Sequence, residues 1–319
     1  MPPVQTPNIF SPVSTPAFEI RELSFFVLGI TAVIFIIVAG FAIYTLIRFG
    51  RRPANPDLEP AQVYGSTQIE LAWTVVPVLI VVVLFLVTAR YIWGIERRPQ
   101  PPDALEITLT GNQWWWEVRY PKLGIVTANE VHVPVSDASN PGLTFITLKS
   151  VDVAHSFWVP QLAGKMDVIP NKTNRVWIEP KQVGTFVGQC AEYCGLQHAL
   201  MLLVVVVHPQ DEFRTWVAAQ QRPPAEQATV AAGRQLFSSL ACINCHSVSG
   251  TQGNGVFGPD LTHLMSRFTL GAGAARNTPE NLRAWVKDPS AFKTGALMPA
   301  MKLDDAQLDQ LVAYLVTLR

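Results

Sequence analysis

Two thiols, an imidazole and a thioether fall within a short stretch of the chain, at Cys190, Cys194, His198 and Met201. Soft sulfur and imidazole ligands suit copper, and mononuclear copper sites take one Cys, one His and one Met from a single loop with a second His from a distant strand. His155 is the best candidate for that remote imidazole. The extra cysteine is what the mononuclear pattern lacks, and two facing thiolates can bridge two copper ions. The segment therefore predicts a dinuclear copper site.

The alternative is a disulfide between Cys190 and Cys194, because cysteine spacing alone is weak evidence. In that case His198 and Met201 would be core or surface residues. Structural zinc is disfavoured, since such sites use Cys, His and carboxylate rather than methionine. The histidines without comparable neighbours in sequence are expected to be structural or surface residues: His132, His208 and His263.

A second cluster is the pentapeptide Cys242-Ile-Asn-Cys245-His246, the attachment pattern of c-type haem. The two cysteines would form thioethers, and the histidine would lie under the iron. Met298, in a Met-Pro pair, is the preferred sixth ligand, with Met301 as the competitor. Axial His and Met ligands give a high-potential haem that transfers electrons.

Two apolar stretches precede these clusters, at residues 23–47 and 71–89, and each is long enough to cross a bilayer as a helix. A signal peptide is the alternative for the first stretch, but it is long for that role and a second span follows. Arg48, Arg51 and Arg52 place the intervening loop in the cytoplasm by the positive-inside bias, although Arg97 and Arg98 weaken this argument. Because c-type haem is attached outside the cytoplasmic membrane, the long C-terminal part is expected outside.

The residue pattern changes twice along the rest of the chain. Short alternating or β-branched runs predict strands, and helical periodicity returns after about residue 222. We expect a multidomain membrane protein with a two-helix transmembrane hairpin, a small all-β domain and an all-α domain. The Pro-rich first sixteen residues predict an extended tail rather than a folded element. The runs, helices and domains fall at these positions: strands at 105–110, 130–135, 144–148, 175–179 and 201–207; helices at 226–240 and 304–318; domains at 1–22 (tail), 23–95 (hairpin), 96–221 (copper) and 222–319 (haem, with linker).

Composition agrees with membrane attachment. The chain has 319 residues, of which 49% are hydrophobic and only 15% are charged. This is apolar for a purely soluble protein. The 24 basic and 24 acidic residues cancel, so bulk charge gives no indication of a nucleic-acid partner.

Three blocks, at residues 111–116, 152–160 and 190–201, resemble the signature blocks of subunit II of haem-copper cytochrome c oxidases. Residues 226–319 resemble a class I cytochrome c, and this fusion is similar to the caa3-type oxidases. The resemblance implies a cupredoxin-like barrel holding dinuclear CuA. Its ligands would be the two Cys, two His and Met above, with the backbone carbonyl of Glu192, whose side chain would approach a magnesium ion at the interface with subunit I. By the same resemblance Pro259 would accept a hydrogen bond from the ring N–H of His246.

Two further roles rest on the resemblance alone. Trp114 matches the residue through which electrons enter CuA, and Trp115 stands where the family usually has Tyr. The alternative is that Trp114, Trp115 and Trp116 are alternating core and surface residues of a strand. Glu70 matches the acidic residue at the mouth of a proton channel into subunit I. Its alternative is a helix-start charge, since carboxylates favour a helix N-terminus.

The expected function is electron input to a respiratory haem-copper oxidase, from haem c to CuA and on to subunit I, where oxygen is reduced to water and protons are translocated. Subunit I and other oxidase subunits are expected partners, and the donor would be a cytochrome c or a quinol-cytochrome c reductase. The expected location is the bacterial cytoplasmic membrane, with the copper and haem domains on the periplasmic side. The alternatives are the electron-input subunit of a CuA-containing nitric oxide reductase and a stand-alone membrane-anchored carrier.

Overall fold

The structure, a computed structural model, describes residues 4–5, 7–50, 62–137, 142–224 and 227–319. Some sequence predictions fall outside these residues: Pro2 and Pro3 of the tail, Arg51 and Arg52 of the loop between the spans, and Glu226 at the start of a predicted helix. The chain divides into two units. One comprises residues 1–17 and 100–319, and the other comprises residues 18–99.

The unit of residues 18–99 contains most of two long helices, α1 (Thr15–Arg48, 34 residues) and α2 (Thr67–Glu96, 30 residues). Both are long and apolar enough to cross a membrane, which confirms the two predicted spans. Each helix extends beyond its apolar stretch at both ends, because polar residues of good helix propensity continue the turns. Most of their large apolar side chains, such as Phe35 and Phe85, are exposed, as expected for surfaces that face lipid.

The N-terminal tail differs from its prediction. Val13, Ser14 and Ala17 are buried, and the Thr15 hydroxyl donates a hydrogen bond of 2.5 Å to the Glu179 carboxylate. Helix α1 begins eight residues before the predicted span because Pro16 suits the first turn of a helix, where no backbone N–H is needed. The end of the tail is therefore part of the folded unit.

Ten strands form two sheets, with one short N-terminal strand, β1 (Val4–Gln5), added to the first. The first sheet has the order β5-β11-β10-β7-β8, and β1 pairs in parallel with β10. The second has the order β4-β3-β2-β6-β9. The strands are β2 (Leu105–Asn112), β3 (Trp115–Tyr120), β4 (Ile125–Ala128), β5 (Glu130–Pro134), β6 (Thr144–Ser150), β7 (His155–Trp158), β8 (Met166–Val168), β9 (Asn174–Ile178), β10 (Gly184–Cys190) and β11 (Leu202–His208).

The inner faces of the two sheets share one apolar core, and the whole forms a cupredoxin-like domain that we call the copper barrel (residues 100–220, including α3). Its largest fully buried side chains include Trp116, Tyr120, Phe157 and Phe186. All five predicted strands are present, within two residues at each end. The other five were not predicted, because β7 and β8 are short and β3 and β10 carry Trp, Gly or charged residues that break the alternation.

Helix α3 (Gln210–Gln220) closes one side of the barrel and was not predicted. Its Trp216 ring stacks on His132, with ring centroids 4.3 Å apart, and Nδ1 of His132 lies 2.8 Å from Nε2 of His208. His132 and His208 are thus structural residues of the barrel. His263, in the haem part, lies within 3.0 Å of the Gln220 carbonyl at the end of this helix.

The C-terminal part, which we call the cytochrome domain (residues 227–319), is helical around its own core. Helix α4 packs against α8, with the Phe237 and Tyr314 rings 5.7 Å apart. A capping box formed by Asp304 and Gln307 fixes the start of α8. The elements are α4 (Ala231–Ser239), α5 (Cys242–Cys245), α6 (Pro279–Lys287), α7 (Pro289–Phe292) and α8 (Asp305–Leu315), with a small ribbon of β12 (Thr269–Leu270) and β13 (Ala275–Arg276).

Candidate copper and haem sites

The sulfur and nitrogen atoms predicted to bind copper lie together at one end of the barrel. The Cys190 and Cys194 sulfurs are 3.7 Å apart, and both are free thiols. That separation is far from the 2.05 Å of a disulfide bond. His155 Nδ1 lies 3.8 Å from the Cys190 sulfur, His198 Nδ1 lies 3.6 Å from the Cys194 sulfur, and Met201 Sδ lies 3.8 Å from the Cys194 sulfur. The predicted ligand atoms therefore surround the sulfur pair.

Strand pairing explains how distant residues meet there. Cys190 ends β10 and pairs with Phe157 of β7, the strand that His155 begins. The loop that follows returns on itself, because the Cys190 backbone N–H donates to the Met201 carbonyl at 3.0 Å. Strand β11 then starts at the next residue. The sheet thus supplies the remote imidazole, and the loop supplies the other side chains.

His155 is held by two residues that the sequence had not indicated as functional. Its Nε2 lies 2.8 Å from a carboxylate oxygen of Asp152, which leaves Nδ1 to face the sulfurs. Such a partner fixes the tautomer and orientation of a ligating histidine. Gly111 lies flat against the ring, since a Cβ there would be 2.8 Å from Cδ2 of His155.

The two thiols differ in acidity. Burial alone would raise the pKa of both. Hydrogen bonds, first from His155, outweigh burial at Cys190 and lower its pKa to about 6. At Cys194, burial and then repulsion from the Cys190 thiolate raise the pKa to about 12. Because soft metals bind thiolates, a metal would have to displace the remaining proton.

The backbone carbonyl of Glu192 also faces the sulfur pair, 3.2 Å from the Cys190 sulfur. Its side chain is exposed and points away from the buried cysteines. Two thiolates, two imidazoles, a thioether and a carbonyl oxygen form a donor set that fits copper.

Trp114 links the two predicted sites. Its indole Nε1 donates a hydrogen bond of 3.0 Å to the Cys194 carbonyl, and its ring lines the large cavity of the cytochrome domain. It precedes β3 and is partly buried, whereas Trp116 is fully buried in the barrel core. The three tryptophans are thus not equivalent positions of one alternating strand.

The cavity in the cytochrome domain is about 460 Å³ in volume and mainly apolar. Both cysteines of the pentapeptide, His246, Met298 and Met301 line it. An elongated apolar cavity with two thiols and an imidazole at its wall fits a covalently bound haem. Both methionines line it, so the choice between them remains a prediction.

His246 is oriented in the same manner as His155. Its Nδ1 lies 2.7 Å from the Pro259 carbonyl, as the resemblance implied, and this leaves Nε2 for an iron ligand. Burial lowers the pKa of His246, which favours the neutral, metal-binding form. Gly258 packs against the ring, because a Cβ there would lie 2.5 Å from Cε1 of His246.

Glu70 lies in the first turn of α2, in the other unit of the chain. Its carboxylate accepts a hydrogen bond of 3.3 Å from the Ser66 backbone N–H. That contact caps the N-terminus of the helix, which agrees with the alternative that Glu70 is a helix-start charge. It leaves a role in proton uptake as a prediction.

Known proteins match the membrane, copper and haem parts of this chain in the same order. The model of the cytochrome c oxidase subunit II transmembrane domain matches residues 3–89, that of its periplasmic domain matches residues 143–208, and that of cytochrome c matches residues 230–319. Cytochrome c oxidase subunit 2 of Alkalihalophilus pseudofirmus is 35% identical over 303 residues, which cover 92% of this chain and 86% of the relative. The chain belongs to the cytochrome c oxidase subunit II family.

A second relative and one solved structure are also similar to this chain. Cytochrome c oxidase subunit 2 of Bacillus subtilis is 31% identical, over 86% of this chain and 82% of the relative. The crystal structure of the periplasmic domain of oxidase subunit II from Bradyrhizobium japonicum is 30% identical, with a TM-score of 0.35. It covers 39% of this chain and 96% of that domain.

Family membership confirms several predictions. The chain is the electron-input subunit of a haem-copper oxidase, fused to a cytochrome c domain, and it carries haem c and copper. As a subunit of this family, it works in a complex with subunit I and other oxidase subunits. It is anchored in a membrane and carries periplasmic domains.

Proposed function

We propose that the copper barrel holds a dinuclear CuA centre. The thiolates of Cys190 and Cys194 would hold the two coppers, together with His155, His198, Met201 and the Glu192 carbonyl. The 3.7 Å separation of the two sulfurs, with a further donor on each side, supports this assignment. The exposed Glu192 carboxylate is free to reach a magnesium ion at the interface with subunit I.

The haem ligands belong to the same proposal. Cys242 and Cys245 would attach haem c covalently, and His246 and Met298 would bind its iron. Bound haem and copper would each supply a one-electron carrier. The protein's own contribution is to fix ligand orientation, through Asp152 at one site and the Pro259 carbonyl at the other, and to exclude water from the buried ligands.

One observation carries the functional assignment. Trp114 contacts the haem cavity and also the loop of residues 191–201 that carries proposed copper ligands, which we call the copper loop. We assign it as the residue through which electrons enter the copper site. The donor that reduces the cytochrome domain is a cytochrome c or a quinol-cytochrome c reductase, and Glu70 serves proton uptake. The membrane is the bacterial cytoplasmic membrane, and the functional domains are residues 1–22, 23–95, 96–221 and 222–319.

The test is electron paramagnetic resonance of the purified native complex, with copper quantified per chain. Two coppers sharing one unpaired electron give hyperfine structure from both nuclei. A spectrum from one copper nucleus would contradict the dinuclear site. Cys190→Ser and Cys194→Ser should each abolish the signal, whereas Met201→Leu should keep it with an altered potential, since a thioether is the weakest ligand of the set. A reduced-minus-oxidised spectrum with haem a beside haem c separates an oxidase from a nitric oxide reductase.

A further inference from the structure

Lys293 is a buried cation between the copper barrel and the cytochrome domain. Only 3% of its surface is exposed. Its Nζ donates hydrogen bonds to three backbone carbonyls: Trp114 at 2.6 Å, Leu200 at 2.6 Å and Gly271 at 2.8 Å. An ammonium group has three N–H donors and no acceptor, so these three carbonyls satisfy it completely.

The three carbonyls come from both sides of the interface between the copper barrel and the cytochrome domain, which we call the seam. Trp114 and Leu200 belong to the barrel. Trp114 lies within the block of residues 111–116, and Leu200 lies between the proposed copper ligands His198 and Met201. Gly271 belongs to the turn between β12 and β13 of the cytochrome domain. Lys293 itself directly follows α7, five residues before Met298. One side chain thus joins the Trp114 backbone and the loop that carries proposed copper ligands to the wall of the haem cavity.

Charge explains why this contact is specific. A buried ammonium group is costly unless its donors are paired. No carboxylate of the described residues forms an ion pair with Lys293, so the acceptors of its Nζ hydrogen bonds are the three carbonyl oxygens. Burial lowers the pKa of Lys293 to about 7, and the nearby Cys194 thiolate partly offsets that shift. Two of the three acceptors lie on the barrel. The full set of three hydrogen bonds therefore forms only when the two domains are docked in this one relative position.

Other hydrogen bonds continue the seam beside Lys293. The Gln197 side-chain amide donates to the Thr294 carbonyl at 2.6 Å, and the Leu202 backbone N–H donates to the Ala272 carbonyl at 3.0 Å. The Leu202 amide is therefore a direct reporter of docking, because its hydrogen-bond partner lies on the other domain.

A second anchor lies farther along the seam, away from Lys293. There the Glu130 carboxylate of the barrel accepts a hydrogen bond of 2.5 Å from the Phe268 backbone N–H. The Arg267 guanidinium donates to the Thr127 hydroxyl at 3.3 Å. The seam thus has polar contacts at Arg267 and Phe268 as well as at Lys293.

We propose that Lys293 is the positioning residue that seats the cytochrome domain on the copper barrel, with Trp114 held between the haem cavity and Cys194. Lys293 lines the haem cavity but is not one of the proposed haem or copper ligands. It acts through the Trp114 and Leu200 backbones. The inference rests on the proposed copper and haem sites, and its failure is distinguishable from theirs because docking can be measured without electron transfer.

The first test is hydrogen exchange in the purified, detergent-solubilised complex, comparing the native chain with Lys293→Met. Methionine has a similar length and no donor. The peptide that contains Leu202 should exchange faster by about tenfold or more, because each buried carbonyl left unpaired disfavours docking by roughly that factor. Peptides from the interior of β6 should not change. Lys287→Met, the same substitution at an exposed position of the same domain, is the matched control and should match the native chain.

The second test is spectroscopic. Ferric haem c is paramagnetic and accelerates the relaxation of the nearby copper signal in the native chain. Lys293→Met should weaken this effect while leaving the copper hyperfine pattern and the haem spectrum unchanged. Reduction of copper by haem c in a stopped-flow trace should slow by about tenfold or more, since small misplacements of reacting groups carry large rate costs.

Each outcome decides the question. Native exchange at Leu202 and native relaxation in Lys293→Met would overturn the proposal while leaving the copper and haem assignments intact. Loss of the copper signal with unchanged exchange would assign Lys293 to support of the copper loop and would also overturn it. If Lys293→Met does not assemble, Lys293→Gln, which keeps a shorter donor, carries the same comparison.

Discussion

The indole nitrogen of Trp114 and the carbonyl oxygen of Cys194 are joined by a hydrogen bond of 3.0 Å. The Gln113 side-chain amide donates to the same oxygen at 2.7 Å. Residues eighty positions apart in sequence thus form one contact, through the backbone of a proposed copper ligand. Because Trp114 also lines the haem cavity, this contact links the two sites through a hydrogen bond.

Trp114→Phe should slow copper reduction by haem c by about tenfold or more, because the variant loses the indole N–H that contacts Cys194. Copper content and the resonance spectrum should not change, since no ligand is altered. Stopped-flow absorbance of the haem c and copper bands measures the rate. Trp115→Phe is the matched control, and an equal effect in both variants would argue against a specific role for Trp114.

Asp152→Ala should weaken copper binding by about 10- to 100-fold, the usual cost of losing the partner that orients a ligating histidine. The reason is that Asp152 holds Nε2 of His155 and leaves Nδ1 to face the sulfurs. Copper retention against a competing chelator measures the effect. Asp103→Ala, an exposed carboxylate outside the site, should retain copper normally. Equal retention in both variants would show that His155 needs no such partner.

Met298→Ala should eliminate the sulfur-to-iron charge-transfer band of the oxidised haem and lower its potential, because a thioether ligand favours the reduced state. Met301→Ala should leave both unchanged. Absorbance at the red end of the spectrum, with a redox titration, separates the two variants. The opposite pattern would make Met301 the sixth ligand, since Met301 lines the cavity as well.

Glu70→Ala in the assembled complex should slow turnover with oxygen while the haem c and copper spectra stay native. Reduction of the oxygen-binding site in subunit I needs a compensating proton in a low-dielectric interior, and the loss of an uptake carboxylate slows that step. Oxygen consumption and stopped-flow reduction of copper measure the two steps separately. Glu70→Gln keeps an acceptor for the Ser66 N–H but cannot take up a proton. Normal turnover in Glu70→Gln with slow turnover in Glu70→Ala would show that the residue acts only as a helix cap.

The barrel should lose stability as pH falls from about 6.5 towards 4 because of His208. Burial, and then the charge of His132, lower the pKa of His208 to about 4 in the folded chain. The unfolded chain keeps a pKa near 6.5 and takes up a proton first, so protons favour unfolding in this window. His208→Gln should show a smaller fall in the thermal unfolding midpoint between pH 7 and pH 5, measured by circular dichroism. An unchanged fall would exclude His208 as the cause.

Short motifs and uninterrupted apolar runs could be read directly from the sequence. The Cys, His and Met spacing depends on local ligand chemistry, and the pentapeptide around His246 carries both haem thiols beside an axial ligand. The two spans follow from length and apolarity alone, since a bilayer imposes both on a helix. Five strands were missed, because β4, β7 and β8 are short and because Trp, Gly and charged residues in β3 and β10 break the alternation.

Long-range partners could not be read in this way. Asp152, Gly111 and Lys293 have no distinctive spacing, and each matters only because of what the fold places against it. The carboxylate of Asp152, the missing Cβ of Gly111 and the ammonium group of Lys293 have a role only because of the atoms that lie within a few ångströms of them. The sequence by itself determined which metals and haem the chain can bind and that it is anchored in a membrane, because ligand type and hydropathy are local properties. Only the tertiary structure decided that Lys293 seats one domain on the other, because hydrogen bonds to backbone carbonyls leave no trace in the identities of the residues that supply them.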